Sequence, residues 1–244
     1  MKENRSAAGR MWNLYRQGGL TSAWAAATGD QNAHHMALIR ALMKKQRHEA
    51  QLSTSLKDLE LVIFDLETTG FSPKQGDEIL SIGAVKVTGL HIEEAENFYT
   101  LINPNRDIPT SIQQLTGITE EMVQSSPFII EGLRNFLDFV GKRVLVAHGS
   151  GHDKQFLNEA LWKTSRTRLT HRVMDTMMVA KWLHPNEDHY GLDELIQLYD
   201  IADIGRHHAL HDAQMTAQLW IKFVQQMLNR KVHTLGELYA HLSR

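Results

Sequence analysis

Residues 60–70 read ELVIFDLETTG, and this stretch decides the fold. Leu61 to Phe64 form an unbroken apolar run of β-favouring side chains, as a buried strand requires. Asp65 and Glu67 stand near its end. Side chains at i and i+2 leave a strand on the same face, so the two carboxylates converge. Burying two like charges side by side is unfavourable unless a cation joins them. Carboxylate oxygens are hard ligands that favour Mg²⁺ or Mn²⁺ over zinc. Thr68, Thr69 and Gly70 then turn the chain, leaving backbone N–H groups and little bulk where a phosphate could approach. An Asp-x-Glu alone is a weak signal. The chain repeats it at Asp58-Leu59-Glu60, which precedes the apolar run and reads as a solvated strand start.

Downstream, EILSIGAVKV (78–87) and AENFYTLINP (95–104) read as two further strands, joined near Thr88-Gly89-Leu90. Three consecutive strands with short connections predict an antiparallel meander. TEEMV (119–123) and IIEGLRNFLDFV (129–140) read as helical, followed by a strand at RVLVAH (143–148). A helix at GHDKQFLNEALW (151–162), a short strand near HRVMDT (171–176) and further helices complete the pattern. In the long C-terminal helix, Leu210, Ala213, Ala217, Trp220, Ile221, Val224 and Leu228 follow helical spacing and predict one buried face. A last short helix is expected from Thr234, with Glu237 three residues on as a capping box. Strands, then helices alternating with strands, predict an α/β domain with a mixed central sheet.

Residues 1–57 read as a helical extension. RSAAGRMWNLYRQ (5–17) carries Met11, Trp12, Leu14 and Tyr15 before Gly18-Gly19, and a second helix is expected after Asp30, with Met36, Ile39 and Met43 on one stripe. Such stripes pack on the main domain or on a partner. The extension holds nine Lys/Arg against three Asp/Glu, a net +6, and the remainder carries −8. The basic segment could attract nucleic acid or simply be a solvated helical surface. An acidic domain that handles a polyanion needs local neutralisation, for which divalent cations are suited. The 244 residues, 42% apolar and 22% charged, suit one globular domain plus an appendage, or two small domains. No run reaches the roughly 18 apolar residues of a membrane span. The N-terminus shows no apolar core of a secretory signal, and there is no cysteine, which excludes a disulfide framework and thiolate metal sites. A cytoplasmic location is expected.

Two more stretches carry chemistry. In HHALHDA (207–213), Asp212 falls in the first turn of the long helix and His207 at its entrance, where an imidazole can serve as a general base. His208 and His211 flank it. An aspartate near a helix N-terminus also suits the helix dipole alone. In LVAHGSGHDKQFL (145–157), Asp153 follows a strand and a Gly-rich turn. No Gly-Lys-Ser/Thr follows, so a nucleotide-binding loop is not expected, and Asp153 also fits a plain helix start. Asp175 reads as structural.

Taken together, FDLETTG (64–70), DEILSIGAVKV (77–87), LTGITEEMV (115–123), LVAH (145–148) with Asp153, and HHALHDA (207–213) resemble the DEDDh branch of the DnaQ-like exonucleases, whose members include DNA polymerase III epsilon-type proofreading subunits. The five stretches occur in the family's order. The resemblance implies an RNase H-like α/β fold, a mixed five-stranded sheet flanked by helices, in a domain of residues 58–230 followed by a short helix within 231–244. It implies a 3′→5′ exonuclease using two divalent cations, Mg²⁺ or Mn²⁺. Asp65, Glu67, Asp153 and Asp212 match the family's metal-binding carboxylates, and His207 its general base. Thr68, Thr69, Gly70, Leu115 and Thr116 would line the pocket for the 3′-terminal nucleotide, with His152 beside it. The family has His-Asn and then Phe-Asp where this chain has His148-Gly149 and His152-Asp153, which bears on how Asp153 is placed. Thr116 stands where many relatives have a histidine. Expected substrates are single-stranded or frayed 3′ ends of DNA in proofreading or repair. The alternatives are RNA, or a decayed nucleic-acid-binding or polymerase-docking module. A DNA polymerase subunit is the partner the resemblance suggests; residues 1–57 lie outside the resemblance and are the candidate docking segment.

Overall fold

The computed structural model describes residues 22–45 and 52–243 of the chain. The expected helix at 5–17, with Trp12 and Tyr15, lies outside them. The first described element, α1 (Ser22–Lys45), begins well before the start expected after Asp30. Gly29 does not break it: a lone glycine inside a helix costs only about 1 kcal/mol, and Ala-rich sequence precedes it. Ile39 and Met43 on this helix are buried, and Met36 is half-buried.

The strands β1 (Glu60–Thr68), β2 (Ile79–Thr88), β3 (His91–Leu101), β4 (Val144–Ala147) and β5 (Val173–Asp175) form one sheet in the order β3-β2-β1-β4-β5. The meander β1-β2-β3 is antiparallel, and β4 and β5 add in parallel beside β1. Five strands with both pairing senses make the sheet mixed, as expected. Between β3 and β4 lie α2 (Thr110–Thr116), α3 (Glu120–Gln124) and α4 (Ile129–Val140). After β4 come α5 (Gly151–Ser165), α6 (Thr176–Leu183), α7 (Leu192–Leu198), α8 (Ala209–Asn229) and α9 (Leu235–Leu242).

Alternation along β1 sorts its side chains between two cores. Val62, Phe64 and Leu66 pack with Leu133, Phe136 and Leu137 of α4, Phe156 and Leu157 of α5, and Ile39 and Met43 of α1. The Arg40 Nε also donates to the Ser165 carbonyl at 2.8 Å, tying α1 to the end of α5. On the opposite face, Leu61 and Ile63 pack with Val179 of α6, Leu195 of α7, Trp220 and Phe223 of α8, and Leu238 of α9. Asp65 and Glu67 continue the odd-numbered series, so β1 delivers both to the α8 side of the sheet.

The buried face of α8 is wider than the sequence stripe suggests. Leu210, Ile221 and Leu228 are only half-buried, while Met215, Leu219, Phe223 and Met227 are fully enclosed. The helix lies against the sheet on one side and α6 and α7 on the other, so its burial exceeds a single face. The capping box at Thr234 and Glu237 is present.

Candidate active site

A missing side chain lets α8 reach the carboxylates. Gly83 on β2 pairs with Asp65 on β1 and with Tyr99 on β3. A Cβ at Gly83 would lie 2.2 Å from the backbone of Ala209 and Leu210, the first turn of α8. Only glycine allows the helix N-terminus to rest on the sheet there. That contact sets Asp212, the fourth residue of α8, over Asp65 and Glu67. One carboxylate oxygen from each of the three lies within 4.8 Å of the others.

Burial first, and like charge second, make ionisation of this cluster costly. Burial, with the charges of Asp153, Glu67 and Asp212, holds Asp65 well above the usual carboxylate range, although Arg206 pulls the other way. Burial and Asp212 push Glu67 up to about 8 against the same arginine. Asp153 is buried near the start of α5 and is raised to about 7, mainly by burial and opposed by the backbone N–H groups of Asp153 and Leu66. Asp153 does not join the group of three, but its charge acts on Asp65. Asp212 Oδ1 is buried without a hydrogen-bond partner among the described residues. An orphaned carboxylate oxygen beside two carboxyls that resist ionisation fits a hard divalent cation, which would offset most of their charge.

The loop leading into α8 is bent to serve this cluster. His207 has φ +62, a left-handed conformation that costs a non-glycine residue on the order of 1 kcal/mol. Its backbone N–H donates to Asp212 Oδ2 at 3.3 Å, and the residue is half-buried. His208, the N-cap of α8, stacks on Tyr99 with ring centroids 4.6 Å apart and on His211 at 4.1 Å. The two flanking histidines thus brace the helix start against β3.

The turn after β1 is held by Asp77, which sequence reasoning did not single out. Its carboxylate accepts from the Thr69 hydroxyl, the Ser72 N–H and Arg106. Thr69 is buried, and its own hydroxyl accepts from the Glu78 N–H, so it braces the turn rather than opening toward a ligand. Thr68 Oγ1 donates to the Gly70 carbonyl at 2.7 Å and lies 3.3 Å from His152 Nε2. His152 packs between buried Phe156 and Phe71, which is 80% exposed. The histidine therefore occupies a partly apolar position at the mouth of the turn, and burial lowers its pKa. Leu115 is exposed at the end of α2. The Thr116 hydroxyl is engaged with the Ile112 carbonyl and the Ile118 N–H. A polar cleft of about 800 Å³ lined by Asn103, Arg106, Gln113 and Glu120 includes none of these site residues.

The altered second motif is braced from elsewhere. Asp175, at the end of β5, accepts from the N–H groups of Gly149, Ser150 and Met177 and from the Ser150 hydroxyl. This carboxylate holds the loop that carries Asp153.

The pKa directions give a stability test. Glu67 is raised from 4.5 to about 8, so the folded chain binds a proton there that the unfolded chain has lost. Its contribution is favourable below the unfolded value and is lost as pH rises toward 8. Buried His148, His152 and His171 shift downward and act in the opposite sense, so a variant comparison isolates the effect. In EDTA, Glu67→Gln should be more stable than wild type at pH 8, by on the order of a few kcal/mol, and so melt higher, with little difference at pH 4.5. Melting curves at both pH values check this. An unchanged difference between them would mean that Glu67 is ionised at little cost.

A mixed five-stranded sheet bearing a carboxylate cluster at the end of its central strand, completed by a helix laid across it, is the architecture of RNase H-like nucleases. Solved structures share it. The nuclease domain of 3′hExo, a DEDDh family member bound to rAMP, superposes with a TM-score of 0.62 at 19% identity, over 73% of this chain and 95% of that one. The chain matches the RNase_T exonuclease family over residues 62–220 and belongs to it. It is 32% identical over 198 residues to the DNA polymerase III subunit epsilon of Aquifex aeolicus, covering 81% of this chain and 96% of that protein. It is also 36% identical over 183 residues to a PolC-type DNA polymerase III of Caldanaerobacter subterraneus, covering 75% of this chain but only 13% of that much longer protein. No helix among the described residues is long and apolar enough to cross a membrane.

Proposed function

We propose that the chain is a 3′→5′ exonuclease that removes nucleotides from DNA ends in proofreading or repair, with Asp65, Glu67, Asp153 and Asp212 as metal ligands and His207 as general base. The observation that carries this reading is the convergence of three carboxylate oxygens within 4.8 Å, beside a histidine whose backbone N–H is bonded to the Asp212 carboxylate. Two divalent cations, Mg²⁺ or Mn²⁺, would supply Lewis acidity to the attacking water and the leaving 3′ oxygen of an in-line displacement. Asp65, Glu67 and Asp212 would hold one cation, and Asp65 with Asp153 the other. His207 takes the proton from the water. Thr68, Gly70, His152 and Leu115 position the terminal nucleotide, and Thr69 and Thr116 keep the pocket's walls in place through their backbone bonds.

DNA is favoured as substrate by the likeness to DNA polymerase III subunits, which also suggests a polymerase partner. Residues 1–57, outside the matched family span, are the proposed docking segment. The test is digestion of a 5′-labelled single-stranded DNA beside an RNA of the same sequence, each with EDTA, Mg²⁺ or Mn²⁺. A metal-dependent ladder shortening from the 3′ end on DNA is expected. A faster ladder on RNA would move the substrate to RNA. No cleavage of either by folded protein would favour a decayed binding module.

A further inference from the structure

Arg206 belongs to none of the motifs that mark the site, yet its guanidinium is bonded to a carboxylate of the cluster. Nη1 donates to Asp212 Oδ2, and Nε donates to Asp193 Oδ1 at 2.5 Å in the first turn of α7. The Arg206 side chain is 18% exposed and that of Asp212 7%, whereas that of Asp193 is 60% exposed. One cation therefore spans from a ligand inside the site to a carboxylate on its rim. The loop is shaped to aim it. Gly205 has φ +111 and its N–H donates to Asp203, while His207 is left-handed on the other side, so the chain turns Arg206 inward.

This pairing has a consequence for metal binding. Arg206 neutralises part of the charge that a divalent cation would use, and it occupies Oδ2 of the same carboxylate whose Oδ1 has no partner. A dication and a guanidinium on one carboxylate repel each other, the more so where water is scarce. Asp193 supplies a place to withdraw: the arginine can release Asp212 and keep its Nε bond.

We propose that Arg206 is a latch that competes with the divalent cation for Asp212, and that Asp193 is the rim position to which it withdraws when the cation binds. The pair then sets the cation affinity of the site. The inference rests on the metal-dependent reading above, and the two make different predictions. Removing the latch should tighten cation binding, and removing its retreat should weaken it. A plain structural brace would weaken binding in both cases.

The test uses the full chain without nucleic acid and reads Mn²⁺ binding from the resonance of the free ion, for wild type, Arg206→Gln, Asp193→Asn and Asp65→Asn. Arg206→Gln should bind Mn²⁺ about tenfold more tightly than wild type, equivalent to ~1.4 kcal/mol, and Asp193→Asn several-fold more weakly. Arg206→Lys, which keeps the charge but not the planar fork, should fall between wild type and Arg206→Gln and serves if the glutamine variant does not fold. Equal or weaker binding by both folded Arg206 variants would overturn the latch. Equal or tighter binding by Asp193→Asn would overturn the retreat. Wild type that binds no more Mn²⁺ than Asp65→Asn would instead sink the metal site, and the latch with it.

Discussion

Asp65→Asn is expected to abolish metal-dependent hydrolysis, with a loss of about 10⁴-fold or more, while leaving the metal-free protein folded. Asp65 is the residue on which the charges of Asp153, Glu67 and Asp212 all act, and in the proposed ligand set it is the one shared by both cations. Losing a shared ligand removes several kcal/mol of charge stabilisation from the transition state. About 5 kcal/mol corresponds to roughly 10⁴ in rate. The same substitution relieves repulsion in the metal-free chain, because a neutral amide replaces a carboxyl that burial and three like charges hold well above the usual carboxylate range. Turnover of labelled DNA at saturating Mn²⁺, with melting curves in EDTA, measures both effects. Retained activity within tenfold of wild type would remove Asp65 from the site. A collapse of the fold in EDTA would mean that its carboxylate is part of the scaffold.

How much of this was legible beforehand depended on whether the signal was local. Asp65 and Glu67 could be read because the period of a strand fixes their common face, and the apolar run before them fixes their burial. Asp212 could be placed in the first turn of a helix from the spacing of Ala213, Ala217 and Trp220 behind it. Gly83 could not. A glycine inside EILSIGAVKV weakens a strand in isolation, and its purpose exists only once α8 lies across it, over a hundred residues later in the chain. Arg206 and Asp193 are thirteen residues apart with no motif between them, so their joint grip on the site is a product of the fold. Asp175 read as structural, and its four hydrogen bonds show what it braces. The short helix α2, TSIQQLT, escaped notice because Thr, Ser and Ile are indifferent helix formers and its boundaries, Pro109 and Gly117, also read as a loop.

The second large effect belongs to His207, and the backbone dictates how to test it. The residue sits at φ +62, where alanine would add strain of its own, so His207→Asn is the cleaner substitution: asparagine tolerates this conformation and carries no base. Its backbone N–H would still reach Asp212 Oδ2, as the histidine's does at 3.3 Å, so the carboxylate keeps that support. Removing a general base alone typically costs ~10²–10⁴ in rate. His207→Asn should therefore lose that much of its maximal rate on DNA, while Mn²⁺ affinity and DNA binding stay within about twofold of wild type. Added imidazole should restore part of the lost rate, because a diffusing base can enter where the side chain has been cut back. Mn²⁺ affinity that falls along with rate would make His207 a support for Asp212 rather than a proton acceptor. An unimpaired rate would hand the role to a neighbour. His208 and His211 are poorly suited to it, since their rings are stacked on each other and on Tyr99, and a base must be free to meet the water. Of the three histidines, His207 is thus the one proposed as base, held by its loop in a left-handed conformation with its backbone N–H on Asp212.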